Sequence, residues 1–204
     1  MGHSRAEKAK THDRILNIAS RRLREEGLAG IGINEVMNEA GLTVGGFYKH
    51  FPSRDALVAD AVSSCLGTWK RRVDAAQSGG PPFSYEKLVD DYLTPSHRDC
   101  PGTGCVIGAL AAEIPRSGKQ TRALIAQQIR SNVELIASLL PDKDRRKSRS
   151  KAILTYCALI GAITLARAVP DDRLSREILQ TVRVALRPAA GGKARRSKKT
   201  SKRN

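Results

Sequence analysis

The chain has 204 residues, 27% of them charged and 40% apolar, a balance that excludes wholesale disorder and fibrous repeats and fits one or two globular domains. It carries 36 Lys and Arg against 20 Asp and Glu, a net charge of +16 that admits nucleic acid as a partner without requiring it. No apolar run approaches the ~18 residues of a membrane span, the polar first fourteen residues lack a signal-peptide core, and four cysteines are too few for a disulfide scaffold; the expectation is a cytoplasmic protein that does not enter a membrane. The charge is unevenly spread. Residues 1–60 hold nine basic and eight acidic side chains, whereas 191–204 hold seven basic ones and no acid. We expect 189–204 to be a disordered basic tail.

Apolar residues recur at helical spacing almost throughout, and no run reads as a strand, so the predicted fold class is all-α. A first helix is expected over 6–26, with Ile15, Ala19 and Leu23 on one face and Gly27 as its C-cap. A second covers 33–40 and stops at Gly41; a third covers 44–50, with Thr43 as N-cap. Ser53 caps a longer helix that starts at Arg54 and fades before 78–84, SGGPPFS. Further helices are predicted over 85–94, 104–114, 117–140, 145–168 and 172–187. In the last two, Ile153, Leu154, Cys157, Ile160 and Ile163, and Leu174, Ile178, Val182, Ala185 and Leu186, mark the apolar faces.

Two short helices joined by Gly41-Leu42-Thr43, with a helix on either side, have the arrangement of a helix-turn-helix, which spacing alone does not separate from an ordinary helical corner. The run AGLTVGGFYKHFPSRDAL at 40–57, with Arg14-Ile15-Leu16, Ala19, Leu23 and Gly27 upstream, resembles the DNA-binding domain of TetR-family bacterial regulators, in the form of one subgroup with Gly-Gly-Phe-Tyr and His-Phe. The resemblance covers about residues 8–60. It implies an N-terminal three-helix DNA-binding domain over 1–60 and a helical effector-binding and dimerisation domain over 61–188. It also implies a homodimeric regulator, most often a repressor, that binds a palindromic double-stranded DNA operator and releases it when a small-molecule effector enters the C-terminal half.

In such a domain the second helix enters the major groove with its N-terminal residues. Thr43 can donate to a phosphate, the amides of Val44 and Gly45 present the positive end of a helix, and Gly45 and Gly46 leave room for a close backbone approach. Val44 can touch a thymine methyl, and Lys49 can reach a guanine edge or a phosphate. Tyr48, His50 and Arg54 match family positions that contact phosphate; Phe47 and Phe51 read as core. Gly32 and Val44 depart from the Thr and Lys common there, so phosphate binding should lean on Arg54, Lys8, Lys10 and Arg14, with the tail as a supplement.

His97, Cys100 and Cys105 invite a zinc reading, but three ligands without Cys-x2-Cys spacing do not make a site, so no metal or cofactor is expected. No convincing His/Asp partner makes a thiol enzyme of Cys100 or Cys105, and no enzymatic activity is expected. The competing readings are plain packing for Cys105, and an oxidant or electrophile sensor acting through Cys100 and Cys105. Cys65 and Cys157 read as packing, and His3 and His12 carry no signal. The effector pocket is expected among Trp69, Leu88, Tyr92, Cys105, Val106, Leu110, Leu124 and Ile129. The final two helices are the expected dimer elements, with Ala158, Gly161, Ala162 and Ala166 permitting close approach. The rival function class is a nonspecific nucleic-acid-binding protein driven by the tail.

Overall fold

Ile15, Ala19 and Leu23 form the buried stripe of α1 (Arg5–Glu26), and Gly27 ends that helix at a φ of 74° that only glycine adopts without strain. The computed structural model describes residues 5–142 and 144–187, and every regular element among them is helical. His3 and the basic tail, with the expectations placed on them, lie outside the described residues.

After a 3₁₀ turn at Leu28–Gly30 come α2 (Ile33–Glu39), a second 3₁₀ turn (Val44–Lys49) and α3 (Arg54–Ser64). Val36 and Met37 of α2, Phe47 and Phe51 around the second turn, and Leu57, Val58, Ala61 and Val62 of α3 close over the α1 stripe as one core. Ser53 caps α3 as expected, accepting from the Ala56 amide at 3.1 Å.

The long helix expected from Arg54 onward is instead two. It breaks at Cys65-Leu66-Gly67, where Gly67 takes a φ of 75°, and resumes as α4 (Thr68–Gln77). The break is held by the Gly67 amide donating to Gln128 Oε1 at 3.1 Å and by Arg71 donating to the Leu66 carbonyl at 2.7 Å. Then follow α5 (Tyr85–Tyr92) and α6 (Pro95–Asp99), which the sequence reading missed. Its signal was Thr94-Pro95: the Thr94 hydroxyl accepts from the His97 amide at 3.0 Å and Pro95 occupies the first turn. The helix expected over 104–114 shortens to α7 (Val106–Leu110), and Pro115 sits within a separate 3₁₀ turn, Ile114–Arg116.

The last three helices, α8 (Lys119–Leu139), α9 (Arg145–Ala168) and α10 (Asp172–Leu186), fall within two residues of expectation and pack along one another. Their inward faces do not. On α9 the buried residues are Ala152, Thr155, Tyr156, Leu159, Ala162, Ile163 and Ala166, while Ile153, Leu154 and Cys157 face outward. Cys157 is therefore exposed, not core. The expectation about membrane-length runs needs correcting too, because α9 is long and apolar enough by length and composition to cross a bilayer. Its buried face is spent on α8 and α10, as in the central helix of a globular bundle.

The N-terminal unit is tied to the rest through α1. Arg24 Nε donates to the Gly102 carbonyl at 2.7 Å and its guanidinium also reaches Cys65 Sγ. Past α7, the Glu113 carboxylate accepts the Leu28 amide at 2.8 Å.

Candidate nucleic-acid interface and effector cavity

Gly41, at a φ of 66°, turns the chain out of α2 so that the following 3₁₀ turn lies across the domain surface. Phe47 and Phe51 point inward at 0% and 1% exposure, their rings stacked with centroids 5.7 Å apart. Val44 at 39% and Tyr48 at 68% point outward, and Thr43, Gly45 and Lys49 are exposed beside them. Six of the eight residues expected to meet DNA, Thr43, Val44, Gly45, Gly46, Tyr48 and Lys49, thus form one continuous surface turn.

Three details depart from expectation. The element expected to read DNA is a six-residue 3₁₀ turn, not an α-helix, because two adjacent glycines lower helix propensity by about 1 kcal/mol each; its aligned dipole is correspondingly small. Thr43 makes no capping bond through its side chain, and the Gly46 amide bonds the Thr43 carbonyl at 3.0 Å instead. Arg54 is committed to the protein: Nε donates to the Ile31 carbonyl at 2.6 Å and a terminal nitrogen to the Leu28 carbonyl, so its first duty is to hold the turn before α2.

Gly45 has no protein atom within 4 Å of where a side chain would begin. The fold does not require glycine there, whereas a close approach by another molecule would. His50 is half-buried, and its Nδ1 is buried without a hydrogen-bond partner. Burial first, then the charges of His12, Lys8 and Lys49, lower its pKa and favour the neutral ring. His12, which the sequence reading passed over, stacks on Phe51 at 4.5 Å and lies 6.2 Å from the His50 ring. It thereby brings the N-terminal turns of α1, with exposed Lys8 and Lys10, to the end of the reading turn. Arg21 and Arg22, by contrast, bond Glu25, Glu26 and Glu39 and brace α1 on α2.

A cavity of about 330 Å³ opens where α3 breaks from α4. Of the residues expected around an effector pocket, Trp69, Tyr92, Cys105 and Val106 line this cavity. Leu88 and Leu110 are at 1% exposure in the core, Ile129 is 37% exposed on the outer face of α8, and Leu124 lies outside the lining. The α8 phase was misread, since its inward line runs through Thr121, Ile125, Asn132 and Ile136. The polar wall went unforeseen: Arg72, Asp91, His97, Gln128 and Asn132 all contribute.

His97 Nδ1 donates to the Tyr92 carbonyl at 2.7 Å and Nε2 accepts the Cys105 amide at 3.0 Å. Those partners fix a neutral tautomer, and burial, the largest cause, lowers the ring's pKa. With both nitrogens bonded to backbone, His97 has none left for zinc or for activating the Cys105 thiol. Gln128 Nε2 donates to Asn132 Oδ1 at 2.7 Å, and Asn132 Nδ2 donates to the Tyr156 hydroxyl at 3.1 Å. The Tyr92 hydroxyl, in a residue only 4% exposed, is buried without a partner. Burial, then the adjacent Cys105 thiol, push its pKa well up, so it stays a neutral donor. Cys65 also lines this cavity; Cys100 is exposed outside it.

A helical chain that presents an exposed glycine-rich turn after a short helix has the arrangement of a helix-turn-helix protein. Residues 15–61 match the family described as bacterial regulatory proteins, tetR family. That segment is a TetR-type DNA-binding domain, and the chain is a transcriptional regulator built on it. It is 21% identical over 150 residues to the HTH-type transcriptional repressor NemR of Escherichia coli strain K12, spanning 72% of this chain and 73% of that one. The reduced form of E. coli NemR superposes with a TM-score of 0.70 at 21% identity, over 88% of this chain and 99% of that one. A TetR transcriptional regulator from Chloroflexus aurantiacus J-10-FL gives 0.70 at 22% identity, over 89% and 96%. At those identities the structures share the fold.

Proposed function

We propose that this chain is a cytoplasmic, non-enzymatic repressor that binds a palindromic operator as a homodimer through residues 43–50 and releases it when a small molecule enters the cavity. The observation that carries the reading is the split along the reading turn: Phe47 and Phe51 buried, Val44, Tyr48 and Lys49 outward, and Gly45 open to an incoming surface. The repressor reading follows NemR, whose name states that role. A footprint on the DNA upstream of its own coding sequence tests it. Lys49→Ala is expected to lower operator affinity by about 1–3 kcal/mol and to relax preference at one base pair, whereas an equal loss on all DNA reassigns Lys49 to phosphate. If removing residues 189–204 abolishes all DNA binding while Tyr48→Ala leaves it intact, the protein is a nonspecific nucleic-acid binder.

The dimer surface is argued from what α9 and α10 leave uncovered. Leu154 and Leu165, 67% and 57% exposed, flank Ala158 and Gly161 on one face at spacings of four, three and four, a two-helix packing seam. An added Cβ at Gly161 meets nothing within 4 Å, so the opening is available to a partner helix. Ala162 and Ala166, expected on the same face, pack into this chain's own core. On α10, Leu174 and Val184 extend the apolar surface at 43% and 58% exposure. The double substitution Leu154→Glu, Leu165→Glu is expected to yield a folded monomer, read by sedimentation and circular dichroism, whose melting temperature falls because a partner no longer stabilises the native chain. A dimer that persists moves the interface elsewhere.

A thiol response is the second reading, favoured by Cys105 and Cys65 lining one cavity and by the reduced form named for the NemR structure. Repeating the footprint with peroxide and in Cys105→Ser separates it from ligand release.

A further inference from the structure

The cavity wall holds one carboxylate, Asp91, and it is taken twice, by Arg72 of the same wall and by Lys87 at 2.8 Å. Three further cations touch wall residues from behind. The Arg24 guanidinium reaches Cys65 Sγ, Arg71 donates to the Leu66 carbonyl at 2.7 Å and to the Thr68 hydroxyl oxygen at 3.1 Å, and Arg167 donates to the His97 carbonyl at 2.6 Å. Among the described residues none of the three meets a carboxylate; each ends on backbone carbonyls, a hydroxyl or a thiol. Arg167 Nη2 lies 3.1 Å from where a side chain on Gly104, a wall residue, would begin, which puts that charge directly behind the wall. Burial lowers the Arg167 pKa and no carboxylate offsets it. Hydrogen-bonding capacity is as one-sided as the charge. Gln128 Oε1 takes the Gly67 amide, Asn132 Oδ1 takes Gln128, and both His97 nitrogens are bonded to backbone. Donors are left over: among the described residues Trp69 Nε1 and the Ser96 hydroxyl, both in the wall, make no hydrogen bond.

The geometry points to a small organic anion, a single-ring carboxylate, as the occupant, its ring against Trp69 and its oxygens on the spare wall donors in the field of Arg24, Arg71 and Arg167. This rests on reading the cavity as the effector site and names what enters it. A carboxylate gives up its hydration on entry, a cost that charge-assisted hydrogen bonds and uncompensated cations offset. An ammonium ligand meets the same cations as like charges, with Asp91 already spent. The Trp69 ring is held edge-to-face by Tyr92 at 5.6 Å and Tyr156 at 5.8 Å, a fixed apolar surface for a flat ring. The volume, about 330 Å³, lies at the small end of the ~300–1,000 Å³ range of small-molecule sites, which excludes larger polycyclic ligands.

The chain's single tryptophan, Trp69, reports occupancy directly through its fluorescence. The full chain is titrated with benzoate, its neutral isostere benzamide, and benzylamine. Benzoate is expected to bind at least about tenfold more tightly than benzamide, with benzylamine the weakest. Arg167→Gln is expected to weaken benzoate about 5–10-fold and leave benzamide within about twofold, while Arg167→Lys, which keeps the charge, stays within about threefold of the parent for both. Arg167 also ties α9 to α6, so a second variant keeps the test decisive should Arg167→Gln fail to fold. Ser96→Ala, at an exposed position, is expected to keep its melting temperature and weaken benzoate about 3–10-fold. Benzamide or benzylamine binding as tightly as benzoate, equal losses of benzoate and benzamide in Arg167→Gln, an unaltered benzoate affinity in Ser96→Ala, or no fluorescence response to any of the three at millimolar concentration overturns the assignment. If the benzoate preference holds and bound operator DNA is nevertheless not released, the ligand class stands and the ligand-responsive reading fails.

Discussion

Phe47→Ala is expected to remove about 3–5 kcal/mol of stability, because the ring is wholly buried where the reading turn meets the core and truncation leaves a cavity there. Natural domains hold about 5–15 kcal/mol in total, so the loss takes a large share of what keeps the turn in place. For a chain of 204 residues the melting temperature should fall by roughly 6–20 °C, and specific operator binding should vanish with the geometry of the turn. The neighbouring substitution Tyr48→Ala should do the reverse. At 68% exposure Tyr48 contributes little to the fold, so stability stays within about 0.5 kcal/mol of the parent while operator affinity drops. Thermal melting followed by circular dichroism, paired with DNA titration, reads both. A Phe47→Ala protein that melts like the parent yet binds DNA weakly would make Phe47 a contact residue and invert the assignment of faces along the turn.

The contrast between Phe47 and Tyr48 was legible in the sequence because helix spacing, a glycine turn and a dense run of residues at 40–57 all act locally. What the sequence hid depends on tertiary partners. Apolar periodicity ran unbroken from α3 into α4, and Gly67 was the one sign of the break; nothing local announces that Gln128, sixty-one residues on, holds it. The cavity exists because of that break, so misreading it displaced the expected lining toward Leu88 and Leu110. Arg54 is a similar case: its type and position suit phosphate, and only the fold brings the Leu28 and Ile31 carbonyls within its reach. On α9 the apolar residues cover more than one face, so periodicity could not say which face serves the chain's own core and which is left open.

Glu113→Ala should separate ligand binding from DNA release. Val106 and Ile107 of α7 line the cavity, and Glu113, just beyond that helix, accepts the Leu28 amide at 2.8 Å. Leu28 opens the 3₁₀ turn whose Leu28 and Ile31 carbonyls are held by Arg54, and α2 begins two residues after Ile31. Two consecutive hydrogen-bonded links therefore join the cavity wall to the element that carries the reading turn. Removing the carboxylate strands the Leu28 N–H at a stability cost of about 1–3 kcal/mol. It should also reduce, by up to about tenfold, the factor by which a cavity ligand weakens operator binding, since coupling between sites is typically worth ~1–3 kcal/mol. Trp69 fluorescence should show ligand affinity in the absence of DNA unchanged, and ligand-free operator affinity should stay within about threefold. Glu113→Gln keeps a carbonyl acceptor for the amide and should fall between the two, because a neutral acceptor bonds less strongly than a carboxylate. If Glu113→Ala instead leaves the release factor intact, coupling runs through the second tie, from Arg24 to the Gly102 carbonyl and Cys65, and Arg24→Met becomes the variant that abolishes it.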